Sequence, residues 1–228
     1  MQLEFVIEGT IADERLNVEI SEVVVAGWAG RDRATIEHHI AELAGLGVAR
    51  PSAVPLYYRV GASNLTQSDR IQVLGDASSG EVECFIFAAG GQLYVSLASD
   101  HTDRELEAYG VAQSKQICPK PVARTAWRYS DVADHWDELV IRSWIEEDGM
   151  RRLYQEGRLS TLLRPADLIA GYGSSSRSLP EGTGLICGTV GVIGRIRPAG
   201  GFEMELSDSR RGRSILHRYA VQTLPLVA

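Results

Sequence analysis

The chain has 228 residues, 44% hydrophobic and 23% charged, with a formal net charge of −7. This is ordinary globular composition with enough chain for a sizeable core. It excludes a basic nucleic-acid-binding face, since the richest basic run, Arg210–Arg213, is short and lacks interleaved aromatics.

Leu3–Glu8 and Leu16–Ala26 read as strands, with Gly9 and Asp13 between them. Asp32 is placed to cap a helix running to about Gly47, with Ile36, Ile40 and Leu43 as its apolar stripe and Gly45 and Gly47 at its end. Pro51 to Gly75 reads as an irregular, proline-bounded section. A hairpin follows within Gly80–Glu107, turning at Gly90–Gly91. Pro119 and Pro121 forbid regular helix or central strand around 117–122. Trp136–Trp144 reads as another strand, Pro165–Ala170 as a short helical turn and Ser174–Ser178 as a surface loop. Strands return in Gly184–Gly194, Phe202–Asp208 and Arg213–Val227. With few short helices, no βαβ alternation and no linker, the expected fold is α+β, mainly β. One domain over 1–228 is expected, residues 1–30 giving N-terminal strands and 31–228 the main body.

No apolar run reaches the roughly 18–20 residues of a membrane span, and MQLEFVIEGT has neither a basic n-region nor a cleavage-site pattern. Cys84, Cys118 and Cys187 are odd in number and far apart, which suits reduced thiols in a cytoplasmic protein better than a disulfide frame or zinc site.

The hairpin carries the chemistry. By the two-residue period, Glu81, Glu83, Phe85 and Phe87 share one face. An even loop centred on Gly90–Gly91 sets Phe87 opposite Tyr94, Glu83 opposite Ala98 and Glu81 opposite Asp100. Three carboxylates then converge beside aromatic side chains, and something positive must offset them. An all-oxygen set, with at most the imidazole of His101 nearby, suits Mg²⁺ or Mn²⁺ better than Ca²⁺. Two plainer readings stand beside this one: a solvated Glu-x-Glu edge, or an odd loop that flips Asp100 to the other face.

The order of motifs resembles the fumarylacetoacetate hydrolase superfamily: EVE (Glu81–Glu83), SDHTDRE (Ser99–Glu105), SKQICPKP (Ser114–Pro121), YQEG (Tyr154–Gly157) and LPEGTGLICGTVGVIG (Leu179–Gly194). Upstream, AGRDRATIEHHIAEL resembles its Gly-Arg-Asn-Tyr…His-x-x-Glu segment. The likeness runs from about Gly27 onward, and SDHTDRELE and SKQICPKPVA resemble a bacterial branch described as a domain of unknown function.

The resemblance implies a mixed β-sandwich roll in which Glu81, Glu83 and Asp100 bind Mg²⁺ or Mn²⁺, with Ca²⁺ as a substitute in a crystal. It implies His39 and Glu42 as a water-activating dyad and Arg104 and Lys115 as cations for the substrate or a developing enolate. Thr189 and Gly188 would meet the substrate, a small oxo acid. It also implies a homodimer. The implied reaction is cleavage of a carbon–carbon bond in a 2,4-dioxo acid, as in aromatic catabolism. Decarboxylation, hydration or tautomerisation of a 2-oxo acid at the same metal, and a non-enzymatic metal-binding domain, stand as alternatives.

Several residues depart from the pattern. Asp32 and Arg33 replace the Asn and Tyr, Val190 replaces a proline, and Lys115 and Lys120 compete for the lysine's place. His101-Thr102-Asp103 adds a further candidate ligand or supporting group. The His39–Glu42 spacing of one helical turn lets the two side chains meet. A histidine satisfied by a local acid is the plainer reading there. His217 and Tyr219 read as structural, the four tryptophans as core or interface, and Gly188 and Gly191 as sites of close backbone approach.

Overall fold

Gln2–Ile7 alternates exposed and buried residues, turning Leu3, Phe5 and Ile7 to one face of a strand. Strands build two large sheets, and two short ribbons pair Ser78–Ser79 with Thr102–Asp103 and Leu65–Thr66 with Lys120–Pro121. The computed structural model describes residues 1–9, 12–45, 50–173 and 178–227, without the side chains of His39, Glu42 and Leu43.

The larger sheet has eight strands in the order Glu14–Glu19, Gln2–Ile7, Thr125–Arg128, Gln92–Ser99, Val82–Ala89, Thr183–Ile186, Glu22–Gly27 and Leu56–Val60. The smaller has five: Met150–Arg158, Val140–Glu147, Gly201–Asp208, Arg213–Leu224 and Arg70–Leu74. One hydrophobic core lies between them, where Val82, Cys84 and Ile86 meet Ile141, Tyr154, Met204 and Tyr219. A second core, with Leu3, Phe5, Val25, Phe85 and Phe87, fills the opposite face of the larger sheet. Phe5 stacks on Phe87 at 4.3 Å between ring centroids although two strands separate theirs. Flat strands would set them about 14 Å apart, so the sheet curls around this core. The result is the expected mainly-β roll with few short helices. Among the described residues no helix is long and apolar enough to cross a membrane.

Asp32 caps the Arg33–Gly45 helix as expected, accepting from the Ala34 amide at 3.0 Å and the Thr35 hydroxyl at 2.6 Å. The expected Gly47 terminus and most of the Ser174–Ser178 loop, residues 174–177, lie outside the described residues.

Elsewhere the structure corrects the sequence reading. Leu16–Ala26 is two strands, Glu14–Glu19 and Glu22–Gly27, which pair with different neighbours. The 51–75 section, expected to be irregular, contains Leu56–Val60 and Arg70–Leu74, each paired into a sheet. Trp136 sits in a 3-10 segment, Ala133–Glu138, and the strand starts only at Val140. Apolar spacing there fits both conformations, and burial of Trp136 at a turn decides it. In 184–194 the extended stretch ends at Ile186.

Candidate metal centre

Val82–Ala89 and Gln92–Ser99 pair through a two-residue turn in which Gly90 (φ 58°) and Gly91 (φ 72°) both adopt left-handed backbone. That geometry matches the right-handed twist of the strands and suits glycine. Their amides donate to the Glu181 carboxylate at 3.1 and 2.6 Å. The register is the even one: Phe87 faces Tyr94, Glu83 faces Ala98, and the Asp100 amide donates to the Glu81 carbonyl at 3.0 Å.

The three acids therefore meet. One carboxylate oxygen from each of Glu81, Glu83 and Asp100 lies within 4.8 Å of the other two. Glu83 is 3% exposed and Asp100 1%, so neither is a solvated edge residue.

Three cations surround them. Lys115 Nζ donates to Asp100 Oδ2, and Lys120 Nζ lies 3.1 Å from Oδ1. Arg104 Nη2 approaches Glu81 Oε1 at 3.3 Å, its Nη1 pairs with Glu107 at 2.9 Å, and its Nε donates to Ser79 Oγ at 2.7 Å. Burial would push the Asp100 carboxyl up, but the two ammonium groups hold it well below the usual carboxylate range. Burial likewise opposes the charges of Lys115 and Arg104, and the acids around them outweigh it, so both are held above their ordinary values.

Glu83 differs. Its Oε2 accepts from the Gly188 amide, and among the described residues no lysine or arginine pairs with it. Burial, then the Asp100 and Glu81 charges, push its carboxyl well above the usual range. Among the described residues Asp100 Oδ1 lacks a well-aligned hydrogen bond despite its nearness to Lys120. A buried acid without its own cation and a buried oxygen that Lys120 meets only at poor alignment, both facing a third acid, fit a divalent ion. Ligand oxygens spread over this range are ones that a cation binding at about 2.1 Å would draw together, and an all-carboxylate set is hard-ion chemistry.

The structure distinguishes the two lysines. Lys120 is fully enclosed (0% exposed), and its Nζ also donates to the His101 carbonyl. Lys115, 6% exposed, lies 5.8 Å from the ring centroid of Tyr58. Lys120 anchors Asp100, and Lys115 retains the accessible side.

His101 is not a free ligand. Its Nε2 meets Ser78 Oγ at 2.9 Å and its Nδ1 meets Tyr219 Oη at 3.1 Å, while Tyr219 donates to Ser99 Oγ at 2.7 Å. Burial, then Lys120 and Arg104, lower its pKa to about 3, so it stays neutral and structural. Asp103 is spent as a helix cap, accepting from the Leu106 amide at 2.9 Å. Tyr219 fits its structural reading.

Gly188 has φ +87°, and a Cβ there would come within 2.7 Å of Ala29 Cβ. Gly191 is different from the expectation, since a Cβ would meet nothing within 4 Å. Thr189 donates to the Val82 carbonyl at 2.6 Å and accepts from Gln155 Nε2 at 2.8 Å. His39 and Glu42 lie on the Arg33–Gly45 helix, but their side chains are outside the description.

Gln155 was missed as a site residue. A bulge shifts the Val140–Glu147/Met150–Arg158 register, so Ser143 faces Gln155 while Trp144 faces Leu153. Tyr154 and Gln155 are consequently both buried, and the amide points at the acid-bearing strand. Its Oε1 accepts from the Val82 amide at 3.0 Å and the Ser143 hydroxyl at 2.9 Å, and its Nε2 also donates to the Val190 carbonyl at 2.7 Å. The Gln-x-Gly of YQEG was the available signal, but that motif has no role until the bulge aims its side chain.

Residues 26–219 match the family described as protein of unknown function, DUF2848. The chain belongs to that family. No curated protein matches it in sequence. Among solved structures, Cg1458 with inhibitor is similar at TM-score 0.66 and 17% identity, over 96% of this chain and 88% of that one. A 2-keto-3-deoxy-D-arabinonate dehydratase complexed with magnesium and 2,5-dioxopentanoate is similar at 0.63 and 18%, over 91% and 75%. An Oleispira antarctica protein named as a candidate fumarylacetoacetate isomerase/hydrolase is similar at 0.63 and 18%, over 89% and 94%. This DUF2848 member therefore has the fold of the fumarylacetoacetate hydrolase superfamily.

Proposed function

We propose that this chain is a Mg²⁺- or Mn²⁺-dependent enzyme that hydrolyses a carbon–carbon bond in a 2,4-dioxo acid. The observation that carries this is the acidic trio of half-buried Glu81 with buried Glu83 and Asp100, where three cations range on Asp100 and Glu81 and, among the described residues, none pairs with Glu83. Bound there, the divalent ion supplies a Lewis acid for the keto and carboxylate oxygens of an oxo acid.

With Glu107 counted on Arg104, four acids face three cations, so adding a divalent ion leaves the cluster formally positive by one and receptive to an anionic substrate. Lys115, kept protonated by Asp100 and Glu81, offsets negative charge developing on a substrate oxygen. Arg104 steadies Glu81 and adds positive potential from the far side. Gly188 and Thr189 flank Glu83, where they would meet the substrate carboxylate. The Thr189 hydroxyl is already bonded to Val82 and Gln155, so it contributes shape. His39, oriented by Glu42, would take the proton from water as general base, its ordinary pKa being near neutral.

Decarboxylation, hydration or tautomerisation of a 2-oxo acid at the same residues is the second reading, and the likeness to a dehydratase supports it. Free, buried Cys84, Cys118 and Cys187 support a reducing cytoplasmic setting. The homodimer remains a proposal from the superfamily resemblance, for light scattering to check.

The test is calorimetric titration with Mn²⁺ beside a screen of acylpyruvates, oxaloacetate and 2-oxo-pentenoates, followed by loss of enol absorbance. Asp100→Ala should abolish Mn²⁺ binding and turnover, and His39→Ala should abolish turnover alone. Unchanged Mn²⁺ affinity in Asp100→Ala would refute the ligand set. Mn²⁺ binding without turnover of any oxo acid would point to a non-enzymatic domain.

A further inference from the structure

Beside Lys115, which holds Asp100, lies Tyr58, and with Trp28 it forms a pair of aromatic side chains to which the sequence assigned no role at the site. Trp28 has φ +59°, a left-handed backbone that a bulky non-glycine residue seldom adopts. Its two neighbours explain how it is held. A Cβ on Gly27 would lie 2.8 Å from Tyr58 Cε2, and Ala29 presses on Gly188, whose amide donates to Glu83. The turn that carries Trp28 is thus wedged between Tyr58 and the Glu83 anchor.

Tyr58 connects the same turn to the opposite side of the site. Its hydroxyl is hydrogen-bonded to the Trp28 side chain. Its ring faces the Lys115 ammonium at 5.8 Å, and that ammonium donates to Asp100. Tyr58 packs against the core on the Glu83 face of the curled sheet. Both aromatics remain only partly buried, unlike Trp127 and Trp136. Partly exposed aromatics, one of them on a strained turn and the other against the ammonium that holds Asp100, suit a ligand-facing role better than core filling.

We propose that Trp28 and Tyr58 form an aromatic wall at this site that selects an oxo acid carrying a planar apolar group beyond its carboxylate. This rests on the oxo-acid reading above and adds the substrate's distal half. Stacking on such a wall favours a phenyl-bearing ligand over a methyl-bearing one by about tenfold.

The test is binding with Mn²⁺ present, read by tryptophan fluorescence. The probes are an acylpyruvate with a phenyl substituent and one with a methyl. The wild-type protein should bind the phenyl acid about tenfold tighter. Trp28→Gly suits the left-handed backbone and removes the side chain together with its hydrogen bond to Tyr58. It and Tyr58→Leu should cut the preference to about twofold or less with Mn²⁺ affinity unchanged, and Trp28→Phe should keep most of it. A preference that persists in folded Trp28→Gly and Tyr58→Leu overturns the wall while leaving the oxo-acid reading standing. No phenyl preference in the wild-type protein does the same, even if both truncations fail to fold. If neither acid binds the wild-type protein, the oxo-acid reading falls and the wall with it.

Discussion

Lys120 Nζ lies 3.1 Å from Asp100 Oδ1, and both side chains are shut away from solvent. Desolvating two charges is costly, and removing one partner leaves the other buried with reduced compensation. Lys120→Met should therefore destabilise the metal-free protein by about 3–5 kcal/mol. A divalent ion at Asp100 replaces part of the missing positive charge. The Tm rise on adding Mn²⁺ should consequently be larger in Lys120→Met than in the wild-type protein. Equal rises in thermal scans with and without Mn²⁺ would separate Lys120 from the ion's site.

Gln155 ties the acid-bearing strand to the smaller sheet through the Val82 amide, and ties Thr189 and Val190 to both. Gln155→Ala orphans a buried amide, which costs about 1–3 kcal/mol. Supports of this kind behind a metal ligand are also worth about 10–100-fold in metal affinity. The expected outcome is a lowered Tm together with Mn²⁺ affinity weakened at least tenfold in calorimetry. A lowered Tm with unaltered affinity would make Gln155 a brace for the fold alone.

The hairpin and its acids were legible because Gly90–Gly91 specifies an even turn, and the turn fixes which face Asp100 takes. Helix capping by Asp32 was legible for a similar local reason. The Met150–Arg158 strand was visible only in its YQEG fragment, since MRRLYQEGR lacks period-two alternation and its bulge places two buried residues in succession. Sequence alone could not rank Lys115 against Lys120, because their difference lies in which one the folded chain seals over. Trp28 was equally hidden. Its importance rests on a backbone angle and on Tyr58, a residue thirty positions away.

Two nearby glycines separate backbone necessity from mere openness. At Gly188, φ is +87° and the Ala29 Cβ blocks any side chain, whereas Gly191 faces open space. Gly188→Ala should cost about 1–3 kcal/mol and weaken the hold on Glu83, whose oxygen takes the Gly188 amide. Gly191→Ala should stay within about 0.5 kcal/mol of the wild-type protein. Urea unfolding of the two variants checks the contrast, and equal losses would contradict it.

Glu83 gives the metal-free protein a pH signature whose sign follows from its surroundings. Its carboxyl sits above the ordinary 4.5 because burial, Asp100 and Glu81 all favour the neutral form. Stability from a raised pKa is complete below the unfolded value and is lost as pH rises toward the folded one, since the native state must then hold a buried charge. His101 slopes the other way, but only between about 3 and its ordinary 6.5. Above pH 6.5 the Glu83 contribution is therefore isolated from it. In EDTA, wild-type Tm should fall from pH 6.5 to 8.5 more than that of Glu83→Gln, whose side chain cannot ionise. With Mn²⁺ the wild-type slope should flatten or reverse, because the ion and the proton compete for the same oxygen. Parallel slopes for wild-type and Glu83→Gln in EDTA would show that Glu83 is charged without the ion, and would remove the electrostatic need that points to a cation here.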